Sequence, residues 1–201
     1  MKLWKMAVLT LLLTTLAQAQ QQYPRIVGDL GFGASLQFES ALGEFSDFAG
    51  SGIGFAGVVE YAMTPRWVLN LWGAYQGFGG DSPDTLILAN RVYFKDDLDA
   101  SNTVTSVFLG TRFFSHPQAK IQLFAGGKVG LERIATQLKD KNTAEDIETV
   151  ISEEKKFRLA LSPELGVRYN NRFDFSLFYS TFSDGSYWGL QAGVFFPVRK
   201  W

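Results

Sequence analysis

Eight short segments of the chain alternate apolar side chains with small or polar ones, and the connections that join them are alternately long and short. Alternation with a period of two is typical of a β-strand whose two faces differ in polarity. The segments are residues 28–38, 52–63, 67–78, 103–114, 121–137, 156–169, 173–182 and 187–196. This rhythm predicts an all-β fold, an eight-stranded antiparallel up-and-down transmembrane β-barrel.

The lengths of the connections predict which ends of the strands lie together. The long connections are residues 39–51, 79–102 and 138–155, with a shorter one at 183–186. The tight connections are residues 64–66, 115–120 and 170–172. An even number of strands places both chain ends and all tight turns on one side, called here the turn side, and the loops on the other, the loop side. In outer-membrane barrels these are the periplasmic and the extracellular side.

The composition of the two faces decides between a membrane barrel and a soluble one. In the sixth segment Phe157, Leu159 and Leu161 share one face, whereas the other face carries Arg158 and Ala160. The non-apolar face is mostly Gly, Ala and Ser, which suits the filling of a narrow barrel better than a solvated surface. We therefore expect the apolar set to face lipid, rather than the core of a soluble lipocalin-like barrel. Two bulky residues on the small-residue face, Trp72 and Phe108, are predicted to help fill the lumen.

Aromatic residues near the strand ends are typical of the girdles that flank a membrane. The turn-side set is Trp67, Tyr61, Phe113, Tyr169 and Phe173, and the loop-side set is Phe38, Tyr75, Phe157 and Trp188. Register supports the same assignment, because a three-residue turn at 170–172 pairs Tyr169 with Phe173 and Arg168 with Asp174. Likewise, a turn at 64–66 pairs Met63 with Trp67 and Tyr61 with Leu69. Each pair agrees in face, as a correct register requires.

These features resemble the small eight-stranded outer-membrane barrels of Gram-negative bacteria, of the OmpA, OmpX and OmpW type. The resemblance rests on pattern and topology across the chain after its first 19 residues, and it is specific for architecture rather than for activity. Such barrels usually end on an aromatic residue. Here Phe196 completes the last alternation, yet Pro197 to Trp201 follow, so either Trp201 is the terminal aromatic out of phase or the ending is atypical.

The start of the chain predicts export. Lys2 and Lys5 precede an apolar run over residues 6–16, and Ala17-Gln18-Ala19 provides small residues for cleavage. This pattern predicts a cleaved signal peptide at residues 1–19, because the run is shorter than the roughly 20 apolar residues that a spanning helix needs. Residues 20–201 are then expected to form one barrel domain in the cell outer membrane.

A net charge of −1 gives no electrostatic case for nucleic acid, and the absence of cysteine excludes disulfides.

Charged residues on the predicted inner face are the candidate site. They are Asp29, Glu60, Arg112, Lys128, Glu132, Arg158, Glu164, Arg168 and Asp174. A lumen of eight strands is narrow enough for side chains to fill, and unpaired charges there would be costly. The first interpretation is a salt-bridged plug that makes the barrel a structural and surface-interaction platform. The alternative is a narrow channel for small, predominantly hydrophobic solutes, lined near the loops by Phe78, Trp72 and the loop around Leu86.

The sequence offers little for catalysis, and no cofactor or metal is expected. The single histidine, His116, lies in a Ser-His-Pro-Gln turn on the turn side, where a surface role is expected. No phosphate-binding glycine loop, nucleophile elbow or metal-ligand cluster occurs. The expected partners are outer-membrane lipid, lipopolysaccharide and, during biogenesis, the barrel-insertion machinery, with a monomer as the default because a closed barrel satisfies its own backbone.

Two loops carry further predictions. Residues 138–155 place many charges around Ile147, Val150 and Ile151, a spacing compatible with a short amphipathic helix in a charge-balanced cap or contact site. Residues 79–102 contain the apolar run Leu86-Ile87-Leu88, which predicts either a hairpin beyond the membrane or an apolar entrance.

Overall fold

The structure, a computed structural model, describes residues 25–47, 49–80, 85–88, 91–94, 98–140, 149–183 and 185–198. The predicted signal peptide and Trp201 lie outside the described residues. No helix in this part of the chain is long and apolar enough to cross a membrane.

The described residues form ten β-strands, and eight of them close into a barrel. They are β1 (Leu30–Leu42), β2 (Ala49–Ala62), β3 (Trp67–Gly80), β4 (Thr85–Leu88), β5 (Arg91–Phe94), β6 (Leu98–Phe114), β7 (Ile121–Asp140), β8 (Thr149–Tyr169), β9 (Phe173–Phe182) and β10 (Gly185–Val198). The order around the barrel is β1-β10-β9-β8-β7-β6-β3-β2, and every neighbouring pair is antiparallel. The predicted fold, an eight-stranded up-and-down barrel, is therefore confirmed.

The barrel is apolar outside and polar inside, the reverse of a soluble protein. Strand β2 alternates strictly between exposed and buried residues along almost its whole length. The exposed positions carry large apolar side chains, among them Leu159 (69% exposed) and Ile53 (63% exposed). A contiguous exposed apolar surface of this size is unfavourable in water and favourable in a bilayer. The predicted face assignment is confirmed, and Trp72 and Phe108 lie inside the barrel as expected.

The tight turns have the predicted register. Tyr169 pairs with Phe173 and Arg168 pairs with Asp174 across the β8–β9 turn. Asn170 and Asn171 adopt positive φ angles of 53° and 56°, a conformation that asparagine tolerates better than most residues.

The strands reach further into the loops than the alternation indicated. Strand β7 has 20 residues and β8 has 21, about twice the 9–11 residues that a spanning strand needs. Their pairing continues through Gln137 and Glu153. Because β6 has 17 residues and β9 only 10, the strands β6, β7 and β8 form a wall on the loop side that is taller than the rest of the barrel.

Two loop predictions need correction as a result. The proposed loop 138–155 is mostly strand, and the amphipathic helix is wrong at Val150 and Ile151, which belong to β8; Ile147 lies outside the described residues. The ladder overrides the local spacing because pairing with β7 provides backbone hydrogen bonds along this part of β8. In the region 79–102, the predicted hairpin is confirmed as β4 paired with β5, but both flanks belong to barrel strands.

Both ends of the barrel sheet also differ from the prediction. Gly28 has a φ of +89° and turns the chain, so β1 begins at Leu30 and the first predicted strand starts too early. Strand β10 continues past Phe196 to Val198. Pro197 is tolerated there because the β9 partner ends opposite Val194, so that only β1 pairs with this part of β10.

Candidate functional site in the barrel lumen

Six of the nine predicted lumen charges form one cluster in the turn-side half of the barrel. This charge network consists of Glu60, Arg112, Lys128, Glu164, Arg168 and Asp174. They come from β2, β6, β7, β8 and β9, and each is at most 5% exposed. Every one of them occupies an inward position of its strand, which is why the alternation located them.

Arg112 is the central cation of the charge network. Its Nε and Nη2 atoms donate to the two carboxylate oxygens of Glu164 at 2.6 and 3.0 Å. Its Nη1 atom donates to Glu60 at 2.9 Å and to Asp174 at 3.1 Å. Bidentate, charge-assisted contacts of this kind fix geometry as well as adding energy.

Arg168, on β8, is the second arginine of the charge network. It donates to both oxygens of Asp174, at 2.5 and 2.6 Å, and to both oxygens of Glu60, at 2.8 and 2.9 Å. Its guanidinium lies 4.1 Å from the ring centre of Phe195. Lys128 joins from the loop-side edge, with its Nζ 3.3 Å from Glu164 and 4.4 Å from the ring centre of Trp72. Arg112, Arg168 and Lys128 are thus each paired with at least one carboxylate inside the lumen.

The remaining three predicted charges lie elsewhere. Asp29 is not part of the network, because the turn at Gly28 places it outside the strand, where its carboxylate accepts a hydrogen bond from the backbone N–H of Ile26 at 2.8 Å. Arg158 is half-buried nearer the loops and donates to the carbonyl of Phe157 at 3.4 Å. Glu132 is fully buried but accepts from Ser180 and Tyr187 instead of a network cation.

Arg25 is a lumen cation that the sequence pattern did not reveal. It precedes β1, and its guanidinium lies 3.9 Å from the ring centre of Phe114 at the turn side. Burial lowers the pKa of Arg25 to about 10, and repulsion by Arg168 adds to this effect. No periodic signal marks this residue, because its position depends on how the chain enters the closed barrel.

Gln122 connects two tight turns, residues 115–120 and 170–172, on the turn side of the charge network. Its amide donates to the carbonyls of Pro117 and Ala119, at 2.8 and 3.2 Å, and to the side-chain oxygen of Asn171 at 2.7 Å. His116 is exposed in the adjacent turn, with its Nδ1 atom 3.2 Å from the hydroxyl of Ser115, so its predicted surface position is confirmed.

An aromatic lid closes the lumen on the loop side. It consists of Phe45, Phe78, Phe182 and Tyr187, and the 3₁₀ helix Gly43–Asp47 carries Phe45. Phe45 is fully buried, and its ring centre lies 5.2 Å from that of Phe78 and 5.6 Å from that of Phe182. The lid continues inward into Trp72, Phe108 and Phe178. The loop-side half of the lumen therefore contains an aromatic cluster beside buried polar side chains, and the turn-side half contains the charge network.

The described residues contain no group of three or more histidine, cysteine, aspartate or glutamate side chains arranged to hold a metal ion.

The sequence matches no family model and no curated protein. Among solved structures, Ail of Yersinia pestis in complex with the heparin analogue sucrose octasulfate is 18% identical; the match covers 85% of this chain and 100% of that chain, with a TM-score of 0.54. Another structure of Ail is 15% identical over the same shares, with a TM-score of 0.51. Neisserial surface protein A is 15% identical over 83% of this chain and 96% of that chain, with a TM-score of 0.49.

Identity this low is informative about architecture alone. Ail matches over its full length, and its barrel corresponds to the one formed by β1–β3 and β6–β10 here. The resemblance inferred from the sequence is confirmed at the level of fold: this chain has the fold of the small eight-stranded outer-membrane β-barrels.

Proposed function

We propose that this protein is a non-enzymatic outer-membrane barrel whose lumen is permanently closed and whose loop-side wall is a platform for surface interactions. The observation that carries the proposal is the charge network, in which Arg112 and Arg168 together engage three carboxylates without exposure to solvent. Opening the lumen would break several buried ion pairs at once, and breaking even one costs about 3–5 kcal/mol.

The two ends of the lumen support the same proposal. Phe45 packs under the loops, and Arg25 with Phe114 fills the turn side. A conducting path would require rearrangement at three levels of the barrel. The surface interactions would involve the loop-side ends of β6, β7 and β8, which project beyond the lipid-facing part of the barrel. We further propose that the barrel is a monomer in contact with outer-membrane lipid and lipopolysaccharide, delivered by the barrel-insertion machinery.

A second candidate function is passage of small hydrophobic solutes. The aromatic cluster in the loop-side half of the lumen, which contains Phe78 and Trp72, favours it. The side chain of Leu86, which the sequence placed in this path, is not among those that the structure describes. The route ends on the charge network, so this function requires that Arg112 or Arg168 change partners.

Single-channel conductance separates the two functions. The refolded wild-type barrel is compared in planar bilayers with Glu60→Gln, which weakens the charge network, and with Phe45→Ala, which removes the centre of the lid. The closed scaffold predicts no defined openings for the wild type and for Phe45→Ala, because the network still blocks the lumen. Stable openings of the wild-type protein would contradict it, and openings that appear only in Phe45→Ala would favour the passage of solutes.

A further inference from the structure

Two buried carboxylates lie between the charge network and the aromatic lid. Glu39, on β1, is 5% exposed, and Glu132, on β7, is fully buried. We call them the acid pair. Neither contributes to the plug, and their position is distinct from the six network residues.

The hydrogen bonds of the acid pair come from neutral groups. Gln76 donates to Glu39 Oε1 at 2.7 Å. Tyr187 and Ser180 donate their hydroxyl protons to Glu132 Oε1, at 2.7 and 2.9 Å. Gln76 also donates to the hydroxyl of Tyr187 at 3.3 Å, so one chain of hydrogen bonds links Glu39 to Glu132.

The second oxygen of each carboxylate lacks a hydrogen-bond partner. Glu39 Oε2 and Glu132 Oε2 are buried and receive no hydrogen bond from the protein. The hydroxyl of Ser106, which is the register partner of Glu132 on β6, is buried and unpartnered as well. Each of these atoms costs about 1–3 kcal/mol if nothing satisfies it. Several other buried side-chain atoms without a partner, such as the hydroxyls of Ser35 and Ser176, are neutral, whereas Glu39 and Glu132 are acids.

The nearby cations are committed to other groups. Lys128 contacts Glu164 at 3.3 Å and lies over the rings of Trp72 and Phe178. Arg158, the register partner of Glu132 on β8, donates to the carbonyl of Phe157. Phe45 and Phe78 cover the acid pair toward the loops, through their contacts with Tyr187. Two negative charges in this enclosed, low-dielectric space repel each other and lose hydration, which disfavours the doubly ionised state.

We propose that the acid pair binds one cation, either a proton or a small hard metal ion such as Na⁺ or Ca²⁺. A metal ion would take the free oxygens of Glu39 and Glu132, with the hydroxyl of Ser106 as a neutral ligand; oxygen ligands of this kind suit hard cations. A proton would reside on one of the two carboxyl groups and would let it donate a hydrogen bond. A proton or Na⁺ neutralises one of the two buried charges, and Ca²⁺ neutralises both. The site does not depend on whether the barrel conducts.

Carboxyl ¹³C NMR of the refolded barrel tests the proposal on the wild-type chain. Spectra are recorded near neutral pH in metal-free buffer, and then during titrations with NaCl and with CaCl₂. Glu39→Gln and Glu132→Gln assign the two signals, and Glu44→Gln, which alters an exposed carboxylate of the Gly43–Asp47 helix, is the matched control.

Two results support the site and name its occupant. One carboxyl signal at the protonated position, unaffected by either salt, identifies a proton. Two ionised signals that shift together and saturably with one cation identify a metal ion, and this response is lost in both Glu39→Gln and Glu132→Gln but kept in Glu44→Gln. Two ionised signals that respond to neither cation overturn the proposal. Whether a protonated or a cation-responsive carboxyl signal exists is read from the wild-type spectrum, and the variants serve to assign that signal.

Discussion

Replacement of Arg168 by methionine tests the energetic importance of the charge network. The substitution removes four contacts of 2.5–2.9 Å to Asp174 and Glu60, in a side chain without solvent exposure. Methionine keeps most of the volume but none of the charge, so the loss is electrostatic rather than a cavity. Removing one partner of a buried ion pair costs about 3–5 kcal/mol.

The remaining contacts set the expected value near the lower end of that range. Arg112 still donates to Glu60 at 2.9 Å and to Asp174 at 3.1 Å. We therefore expect a loss of about 3 kcal/mol in the free energy of unfolding. In the double variant Arg168→Met/Asp174→Asn, one of the two deprived carboxylates is neutral, and we expect recovery of about 1 kcal/mol through coupling between the sites.

The assay is urea unfolding of the refolded barrel in phospholipid vesicles, followed by the difference in gel migration between folded and heat-denatured protein. The matched control is Arg66→Met, because Arg66 is exposed in the β2–β3 turn. A surface substitution of this kind changes stability by at most about 0.5 kcal/mol. If Arg168→Met were no more destabilising than Arg66→Met, the network would not hold the lumen closed and the reasoning would be refuted.

Three further perturbations probe the lid, the strand packing and the lipid face. Phe45→Ala should lower the free energy of unfolding by about 3 kcal/mol, since truncation of a fully buried phenylalanine leaves a cavity, and should increase protease cleavage between β1 and β2; unchanged cleavage would argue against a lid. Gly130→Ala should cost about 1–3 kcal/mol because its Cβ would lie 2.0 Å from the carbonyl oxygen of Val107, whereas Gly73→Ala meets nothing within 4 Å; equal urea midpoints for the two variants would contradict the packing. Leu165→Arg should reduce stability in vesicles by about 2–4 kcal/mol, because Leu165 is exposed and lies between the girdle residues Phe157 and Tyr169, and no change in the urea midpoint would contradict its contact with lipid.

The sequence predicts the barrel because the alternation of apolar with small or polar residues is repeated in every strand. Residues such as Leu159 and Ile53 alternate with small or polar neighbours, and the tight turns then allow only one register. The loop-side ends of β7 and β8 are harder to predict from the sequence. Between Gln137 and Lys156 charged residues occupy both faces, and the apolar residues Val150 and Ile151 are adjacent rather than alternating, so the pattern has little contrast even though the backbone ladder continues.

The lumen was predictable in part for the same reason. Glu60, Arg112 and Arg168 stand at inward positions of well-marked strands and could be placed together. Glu39 escaped because the first strand was ended at Phe38; continuing its phase by one residue points Glu39 inward. Arg25 and Phe45 lie outside the barrel strands, and their burial follows from the closed barrel, which no local pattern encodes.

The central claim is that the apolar face of each strand contacts lipid while the charge network lies sealed inside. Paramagnetic relaxation by spin-labelled lipid acyl chains measures this directly in bilayer nanodiscs. The account predicts strong broadening of side-chain signals from Leu159, Ile53 and Leu165, and none at Trp72, Phe108 and Phe178. Broadening of the second set with protection of the first would mean that the faces are reversed, and the transmembrane barrel described here would be wrong.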